Sequence, residues 1–90
     1  MLNTLERLFK LVRDRKNNPI EVSYTNKLLK DKSLSKKKVL EEINELIEAV
    51  ENDSNKIHEA ADVLYHLIVY FEANEIKIED VVAELEKRKK

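Results

Sequence analysis

The 90-residue sequence contains no cysteine and no glycine, and only one proline. Without cysteine, the chain has no disulfide, no thiol nucleophile and no cysteine-based zinc site. Without glycine, it lacks the glycine-rich loops that let a backbone approach a phosphate, which excludes the Walker A loop, the dinucleotide fingerprint and the kinase flap. A chain of this composition that handles phosphate must therefore use side chains and cations.

Long apolar runs and a large net charge are also missing. The longest uninterrupted apolar run covers only residues 67–71, far short of the roughly 20 residues that a membrane span needs. The first ten residues include Glu6, Arg7 and Lys10, unlike a signal peptide. The formal net charge of −1 gives no general attraction to nucleic acid. We therefore expect a single domain over residues 1–90, cytoplasmic, with no membrane and no nucleic-acid partner.

The charged residues are unevenly distributed along the chain. Residues 27–38 contain six lysines and one aspartate, whereas residues 41–62 contain eight acidic residues and one lysine. A basic stretch followed by an acidic one suggests that the protein holds an anionic ligand together with cations.

Apolar residues recur at a spacing of three to four along almost the whole chain, which predicts helices. Residues 20–35 are the least regular part. We predict an all-α, antiparallel bundle of four to five helices. We expect the first helix to begin at a cap, Asn3 or Thr4, and to end at residues 17–19, and the second to run from the cap Ser35 to about Val50. The third is expected from about Lys56 to Ala73, ended by Asn74 in a left-handed conformation. The last is expected from Ile78 to Lys87.

The helix expected over residues 56–73 is apolar around nearly its whole circumference. A helix of this kind is buried on all sides, and four short helices can hardly surround it. We therefore predict that a second copy of the chain covers it, in a two-fold homodimer that completes the bundle. The alternative is a tight monomeric bundle that leaves some apolar surface exposed.

The few polar residues of that helix form a stripe. Glu59, Asp62 and His66 fall within roughly 60° of one another on a helical wheel, and Glu72 lies on the far side. Buried carboxylates without partners are costly, so this stripe indicates a function. His66 is expected to be a satisfied core histidine or to orient a ligand, and His58 to be a surface residue.

The preceding helix carries a matching pair of carboxylates. Glu42 and Glu45 border its apolar stripe, whereas Glu41, Glu48 and Glu51 turn toward solvent. Two such pairs facing each other repel, and divalent cations would remove the repulsion. Oxygen ligands favour Mg²⁺ or Mn²⁺ over zinc. The alternatives are a solvated acidic surface or carboxylates paired with lysines. Lys38, one turn before Glu42, forms either a helix ion pair or a phosphate contact.

Two motifs resemble a known superfamily. E-x-x-E at residues 42–45 followed by E-x-x-D at 59–62 resembles the signature of the all-α, MazG-type nucleoside-triphosphate pyrophosphohydrolases. More narrowly, S-Y-T-N-K-L-L at 23–29, E-A-A-D-V-L-Y-H at 59–66 and the segment 78–88 resemble the phosphoribosyl-ATP pyrophosphohydrolases of histidine biosynthesis. The likeness covers nearly the full chain. The chain departs from the family at Leu40 and Glu75, where the family usually has glycine.

The resemblance implies hydrolysis of phosphoribosyl-ATP to phosphoribosyl-AMP and pyrophosphate at the α–β phosphoanhydride. Water would be activated by the bound metal or by a carboxylate, and a cyclohydrolase of the same pathway is an implied partner. The implied catalytic and metal-binding residues are Glu42, Glu45, Glu59 and Asp62, with Glu41 as a substitute ligand and Mg²⁺ or Mn²⁺ as the metal. The implied substrate-binding residues are Lys27 and Lys38 on the phosphates, Tyr24 and Thr25 in a covering segment, and Arg13 at the phosphoribosyl end.

Two other functions remain open from the sequence. One is a house-cleaning enzyme of the same superfamily that hydrolyses dUTP or non-standard nucleoside triphosphates with the same acidic residues. The other is a non-enzymatic helical dimerisation module, in which Glu59 and Asp62 pair with lysine or arginine across the interface.

Overall fold

The computed structural model describes residues 2–20 and 23–89, and these ranges form five helices and no strand. The helices are α1 (Leu2–Asn17), α2 (Tyr24–Lys30), α3 (Lys32–Glu51), α4 (Lys56–Ala73) and α5 (Ile78–Lys87). The all-α class and the expected number of helices are confirmed.

The short helix α2 lies in the stretch that the sequence left irregular. Ser23 caps it by accepting a hydrogen bond from the backbone N–H of Asn26 at 3.3 Å. The side chain of Asn26 is buried, and its Nδ2 donates to the carbonyl of Arg15 at 2.6 Å, while its Oδ1 accepts from the N–H of Ile20 at 2.8 Å. A seven-residue helix is too short to show a clear apolar period, which explains why the sequence did not reveal it.

Asp31 separates α2 from α3 and caps both helices. Its N–H donates to the carbonyl of Lys27 at 3.1 Å, and its carboxylate accepts from the N–H of Leu34 at 3.0 Å. Because aspartate is a strong N-cap, α3 begins at Lys32, one turn earlier than predicted. The prediction of Ser35 as the cap is therefore wrong, and Ser35 lies buried inside the helix.

Helices α3 and α4 form an antiparallel pair, joined by a tight turn over residues 52–55. The N–H groups of Ser54 and Asp53 donate to the carbonyls of Ala49 and Val50 at 2.9 and 3.3 Å, which is the Schellman pattern of helix ends. Asp53 has a φ of 51°, in the left-handed region that such an ending requires. The turn brings the acidic residues of α3 opposite the start of α4.

Helix α4 ends in a second Schellman motif. The N–H groups of Ile76 and Glu75 donate to the carbonyls of Phe71 and Glu72 at 2.8 and 3.2 Å. The left-handed residue is Glu75, with a φ of 59°. The prediction that Asn74 takes this conformation is wrong, because its φ is −106°. Glu75 stands where the resembling family commonly has glycine, the residue that adopts positive φ without steric cost.

The core lies where α1, α2 and α4 meet. Its fully buried residues are Val12, Leu28, Ile68 and Val69. Helix α5 contributes no buried residue. Outside the core, the α3–α4 pair carries large apolar side chains that are at least half exposed: Leu40, Ile47, Val50, Ile57 and Leu64. Among the described residues, no helix is long and apolar enough to cross a membrane.

Candidate metal centre

Three of the four predicted carboxylates come together between α3 and α4. Glu42 and Glu45 lie one turn apart on α3, and Glu59 lies in the first turn of α4. One carboxylate oxygen from each residue lies within 4.8 Å of the others. We call Glu42, Glu45 and Glu59 the acidic triad. From the i, i+3 spacings, the sequence predicted that carboxylates of two successive helices would face each other.

No lysine or arginine in the described part of the chain forms an ion pair with the acidic triad. Glu42 is only 9% exposed, and the buried Oε2 atoms of Glu42 and Glu59 have no hydrogen-bond partner among residues 2–20 and 23–89. Buried carboxylate oxygens are normally hydrogen-bonded or paired. Two carboxyl oxygens of the triad are therefore buried with neither a hydrogen-bond donor nor a paired lysine or arginine among the described residues.

The pKa values reflect this deficit of positive charge. Burial raises the pKa of Glu42 from 4.5 to about 7, and the hydrogen bond and charge of Glu45, followed by the charges of Asp62 and Glu59, act in the same direction. Burial and the charge of Glu45 also raise the pKa of Glu59. A bound cation would reverse both effects because it favours the ionised form of each carboxyl group.

Asp62, the fourth predicted carboxylate, lies beside a histidine that the sequence assigned to the surface. His58 Nε2 is 3.3 Å from Asp62 Oδ2, four residues later on the same helix. His58, Glu59 and Asp62 form a second group whose ligand atoms lie within 4.8 Å of one another. The i, i+4 spacing of His58 and Asp62 was visible in the sequence and was the only signal for this pair.

His66 stands behind the acidic triad. It is 6% exposed, and its Nε2 lies 3.9 Å from Glu42 Oε1. The rings of Tyr65 and Tyr24 meet it edge to face, with centroids at 5.0 and 6.1 Å. Burial lowers the pKa of His66, and the charge of Lys38 adds to the effect. Both effects favour the neutral form of the imidazole over the charged form.

Three of the predicted substrate-binding residues, Tyr24 and Thr25 on α2 and Lys38 on α3, lie near this histidine. The hydroxyls of Thr25 and Tyr65 form a hydrogen bond that ties α2 to α4. The Lys38 Nζ lies 3.5 Å from Glu41 Oε1, and Tyr24 and Glu41 raise the pKa of Lys38. Lys27, one turn after Tyr24 on α2, is exposed. Tyr24, Thr25 and Lys38 are thus close to the centre, and Lys38 forms the helix ion pair that the sequence offered as one alternative.

Arg13 lies in a different cluster. Its Nε donates to Glu72 Oε1 at 2.8 Å, and its two terminal nitrogens donate to both oxygens of Glu79 at 2.7 Å. These bonds join α1 to α4 and α5. Glu72 belongs to this cluster with Arg13 and is not one of the carboxylates that come together in the acidic triad. The structure therefore does not bring Arg13 together with the other predicted substrate-binding residues.

A polar recess opens beside the acidic triad at the α3–α4 turn. It has a volume of about 190 Å³, and its lining includes Glu45, Glu59, Asn52 and Asn55. Larger recesses exist, including one of about 380 Å³ between α1 and α5 that is lined by Phe9, Ile78 and Val82. Only the smaller of these two borders carboxylates of the triad, so the chemistry and not the size identifies the candidate site.

The side chains present fit a divalent cation. The acidic triad offers only oxygen ligands, two of its oxygens are buried without partners, and the nearest lysine on α3 is paired with Glu41 instead. Hard cations such as Mg²⁺ prefer this donor set. In fold and site, the chain is thus an all-α protein with a carboxylate cluster of the cation-binding kind between two antiparallel helices.

Comparison with known proteins gives the family. Residues 4–89 match the family described as phosphoribosyl-ATP pyrophosphohydrolase. The chain belongs to this family of hydrolases, which confirms the resemblance drawn from its sequence. No solved structure matches the chain.

Individual relatives agree with the family match. A protein of Clostridium acetobutylicum named phosphoribosyl-ATP pyrophosphatase is 47% identical over 88 residues, which cover 93% of this chain and 79% of the relative. A protein of the same name from Methanococcoides burtonii is 39% identical and is covered over 94% of its length. A protein of Caldanaerobacter subterraneus named histidine biosynthesis bifunctional protein HisIE is 40% identical, and the match covers 45% of it.

Proposed function

We propose that this chain hydrolyses the α–β phosphoanhydride of phosphoribosyl-ATP to give phosphoribosyl-AMP and pyrophosphate. The observation that carries the proposal is the acidic triad, with its unpartnered buried oxygens, in a chain that matches the family over residues 4–89. Relatives that carry the name phosphoribosyl-ATP pyrophosphatase support the choice of substrate.

In this proposal Glu42, Glu45, Glu59 and Asp62 hold Mg²⁺, or Mn²⁺ in its place. Bound there, the cation would neutralise phosphate oxygens and the charge that develops during transfer. The protein supplies the positions of the ligands. Glu42 and Glu45 are fixed on one face of α3, and Glu59 and Asp62 on α4. The buried His66 lies beside Glu42, with its Nε2 3.9 Å from Glu42 Oε1.

The same carboxylates take the proton of the attacking water. In the hydrolysis one phosphorus–oxygen bond of the α–β bridge breaks, one forms to the oxygen of water, and one proton is released. A carboxylate next to the reacting phosphate can accept this proton as a general base. The other carboxylates of the set then remain available to hold the cation.

Lysines and tyrosine near the centre are proposed to bind the polyphosphate. Lys38 lies beside Tyr24 and Glu41, and Lys27 is exposed on α2, so both ammonium groups can contact phosphate oxygens as cations. The hydroxyl bond between Thr25 and Tyr65 holds α2 on α4 and thereby positions Tyr24. Binding of the phosphoribosyl end by Arg13 stays a prediction, because its hydrogen bonds go to Glu72 and Glu79.

The test is pyrophosphate release from phosphoribosyl-ATP in the presence and absence of Mg²⁺. We compare the unmodified chain with Glu45→Gln and Asp62→Asn, which remove a charge while keeping the side-chain shape. Glu51→Gln is the matched control, since Glu51 is an exposed glutamate at the end of α3. Mg²⁺-dependent turnover that both site variants abolish, and that the control retains, would support substrate and site together.

Other results would point to the alternatives. Mg²⁺-dependent hydrolysis of dUTP or of non-standard nucleoside triphosphates, without turnover of phosphoribosyl-ATP, would keep the site and replace the substrate. Inactivity on the whole nucleotide panel, with melting temperatures that do not respond to Mg²⁺, would contradict an enzymatic function and favour the helical dimerisation module.

We further propose that the chain forms a homodimer through α3 and α4. Five large apolar side chains of this pair are at least half exposed, among them Ile57 at 89%, and covering them with a second copy of the chain would remove this apolar area from water. Sedimentation of Leu64→Glu would then show a monomer, whereas Val82→Glu, an equally exposed position on α5, would leave the dimer intact. A monomer for the unmodified chain would contradict the proposal. A cyclohydrolase partner and a cytoplasmic location stay predictions.

A further inference from the structure

His66 is a buried imidazole to which the proposed function assigns no chemical role. The residue is 6% exposed, and its Nδ1 atom is buried without a hydrogen-bond partner among residues 2–20 and 23–89. Its Nε2 lies 3.9 Å from Glu42 Oε1, which is longer than a hydrogen bond. Because buried polar atoms are normally hydrogen-bonded, this arrangement is unusual for a histidine that only fills the core.

Two tyrosines hold the ring of His66 next to Glu42. Tyr65 and Tyr24 meet the imidazole edge to face, with ring centroids at 5.0 and 6.1 Å. The hydroxyl of Tyr65 forms a hydrogen bond with that of Thr25, which joins α4 to α2 beside the imidazole. This packing limits rotation of the ring, so Nε2 stays close to the carboxyl group of Glu42.

Glu42 requires a hydrogen-bond donor when it binds a cation. A carboxylate that ligates a cation is ionised and only accepts hydrogen bonds, and such carboxylates are usually held by a donor from another residue. No lysine or arginine in the described ranges forms an ion pair with Glu42, whereas His66 Nε2 is in contact with it. An imidazole can carry a proton on Nε2 whether it is neutral or charged.

We propose that His66 is a positioning residue of the metal centre, whose Nε2–H donates to Glu42 Oε1 when the cation is bound and leaves Glu42 Oε2 for the cation. Oε2 is the oxygen of Glu42 that is buried without a partner, so the two oxygens of one carboxylate have different functions. The inference rests on the proposed function, because it takes Glu42 as a ligand. Helix α4 then supplies both ligands and the residue that orients a ligand of α3.

The experiment compares His66→Gln with His66→Asn in the full chain. The amide nitrogen of glutamine can take roughly the place of Nε2, whereas the shorter asparagine reaches only about as far as Nδ1. Calorimetry should show Mg²⁺ affinity weakened by about 10- to 100-fold in His66→Asn and largely retained in His66→Gln. At saturating Mg²⁺, both variants should keep the KM for phosphoribosyl-ATP, because His66 acts on a cation ligand and not on the substrate.

The effect of His66 should pass through Glu42. In the Glu42→Gln background, the further change His66→Asn should leave Mg²⁺ affinity unchanged, because the two substitutions remove one and the same interaction. A histidine that only supports the fold would weaken Mg²⁺ affinity by the same factor in both backgrounds, and this result would overturn the inference.

A ¹⁵N NMR measurement on the unmodified chain does not depend on the folding of a variant. With Mg²⁺ bound, His66 should carry its proton on Nε2, and a proton on Nδ1 alone would overturn the inference. Equal Mg²⁺ affinities of the glutamine and asparagine variants, both folded by circular dichroism, would also overturn it. The proposed function fails separately, through absence of Mg²⁺-dependent pyrophosphate release in the unmodified chain, so the two failures can be told apart.

Discussion

Two clusters of glutamates lie toward opposite ends of α4, and their electrostatic surroundings are opposite. In the acidic triad, Glu42 is surrounded by other carboxylates, and its pKa rises to about 7. In the cluster around Arg13, Glu79 accepts two hydrogen bonds from the guanidinium, and its pKa falls to about 2. The two side chains are chemically identical, so the difference comes from their surroundings. Burial, followed by neighbouring carboxylates, raises the pKa of Glu42, and the hydrogen bonds from Arg13 lower the pKa of Glu79.

The origin of the contrast is the placement of positive charge. Helix α1 brings Arg13 and Lys16 to the end of α4, where Lys16 Nζ also donates to the carbonyl of Glu72 at 2.8 Å. Toward the other end, Lys38 pairs with Glu41 and Lys56 pairs with Asp53, and neither pairs with the acidic triad. One cluster is thus paired with a guanidinium of the chain itself, and the other is the cluster for which we propose a bound cation.

The largest expected effect comes from changing one glutamate in each cluster. Glu42→Gln should lower Mg²⁺-dependent turnover by about 100-fold, since loss of residues at a metal site commonly has effects of this size. Glu79→Gln should change turnover little, because Glu79 holds Arg13 and not the cation. Steady-state kinetics of both variants test this. Equal losses in the two variants would remove the functional distinction between the clusters.

The second prediction concerns stability against pH in the absence of metal. Because the pKa of folded Glu42 lies above its unfolded value of 4.5, the folded state is favoured below pH 4.5 and loses stability as the pH rises toward 7. The free energy of unfolding should fall by roughly 2–3 kcal/mol across this window. Urea unfolding with EDTA at several pH values measures it.

The same measurement has internal controls. Saturating Mg²⁺ should reduce the fall, and Glu42→Gln should remove most of it. Glu79 should act in the opposite sense and in another window, because its lowered pKa contributes stability that is lost as the pH falls from 4.5 to about 2. A free energy of unfolding that rises between pH 4.5 and 7 in EDTA would contradict the assignment of the acidic triad.

The third prediction breaks the paired cluster. Arg13→Gln should lower the free energy of unfolding by about 1–2 kcal/mol, because it leaves the largely buried Glu72 without its ion pair. Arg88→Gln removes an exposed pair with Glu84 at 3.2 Å, and should cost only about 0.3–0.5 kcal/mol. Urea unfolding compares the two. The KM of Arg13→Gln for phosphoribosyl-ATP tests its role as a substrate contact, which an unchanged KM would exclude.

The smallest expected effect comes from Glu75, a glutamate whose backbone has a left-handed conformation. Glu75 has a φ of 59°, a conformation that glycine adopts without a Cβ clash. Glu75→Gly should therefore raise the free energy of unfolding by up to about 1 kcal/mol, with turnover unchanged. Thermal unfolding checks this prediction, and Glu75→Ala, which keeps the Cβ, is the control. A stabilisation of the same size in both variants would mean that side-chain charge is the cause.

Much of the fold was readable from local patterns. The spacing of apolar residues predicted the long helices because a helical period repeats many times over 16 to 20 residues. It did not reveal α2, which has seven residues, and it placed the start of α3 at Ser35 because a serine and an aspartate four residues apart both qualify as caps. Asp31 is the cap because its N–H also closes the end of α2.

Part of the candidate site could also be predicted from spacing within a single helix. The i, i+3 spacing of Glu42 and Glu45 places them on one helix face whatever the rest of the molecule does. The i, i+4 spacing of His58 and Asp62 was visible within one helix, but the sequence did not show that His66 would stand 3.9 Å from Glu42. That contact depends on rotamers and on the depth at which α3 and α4 pack.

By itself, then, the sequence determined the helical class, the two carboxylate pairs and the absence of any glycine loop for phosphate, since each depends on residue type and on spacing within one helix. The tertiary structure decided which glutamates receive a counter-ion. Arg13 is 59 residues from Glu72 and 66 from Glu79 along the chain, and only the packing of α1 against α4 and α5 brings them together. Electrostatic energy depends on the distance between charges in space and on their burial. The sequence alone gives neither quantity.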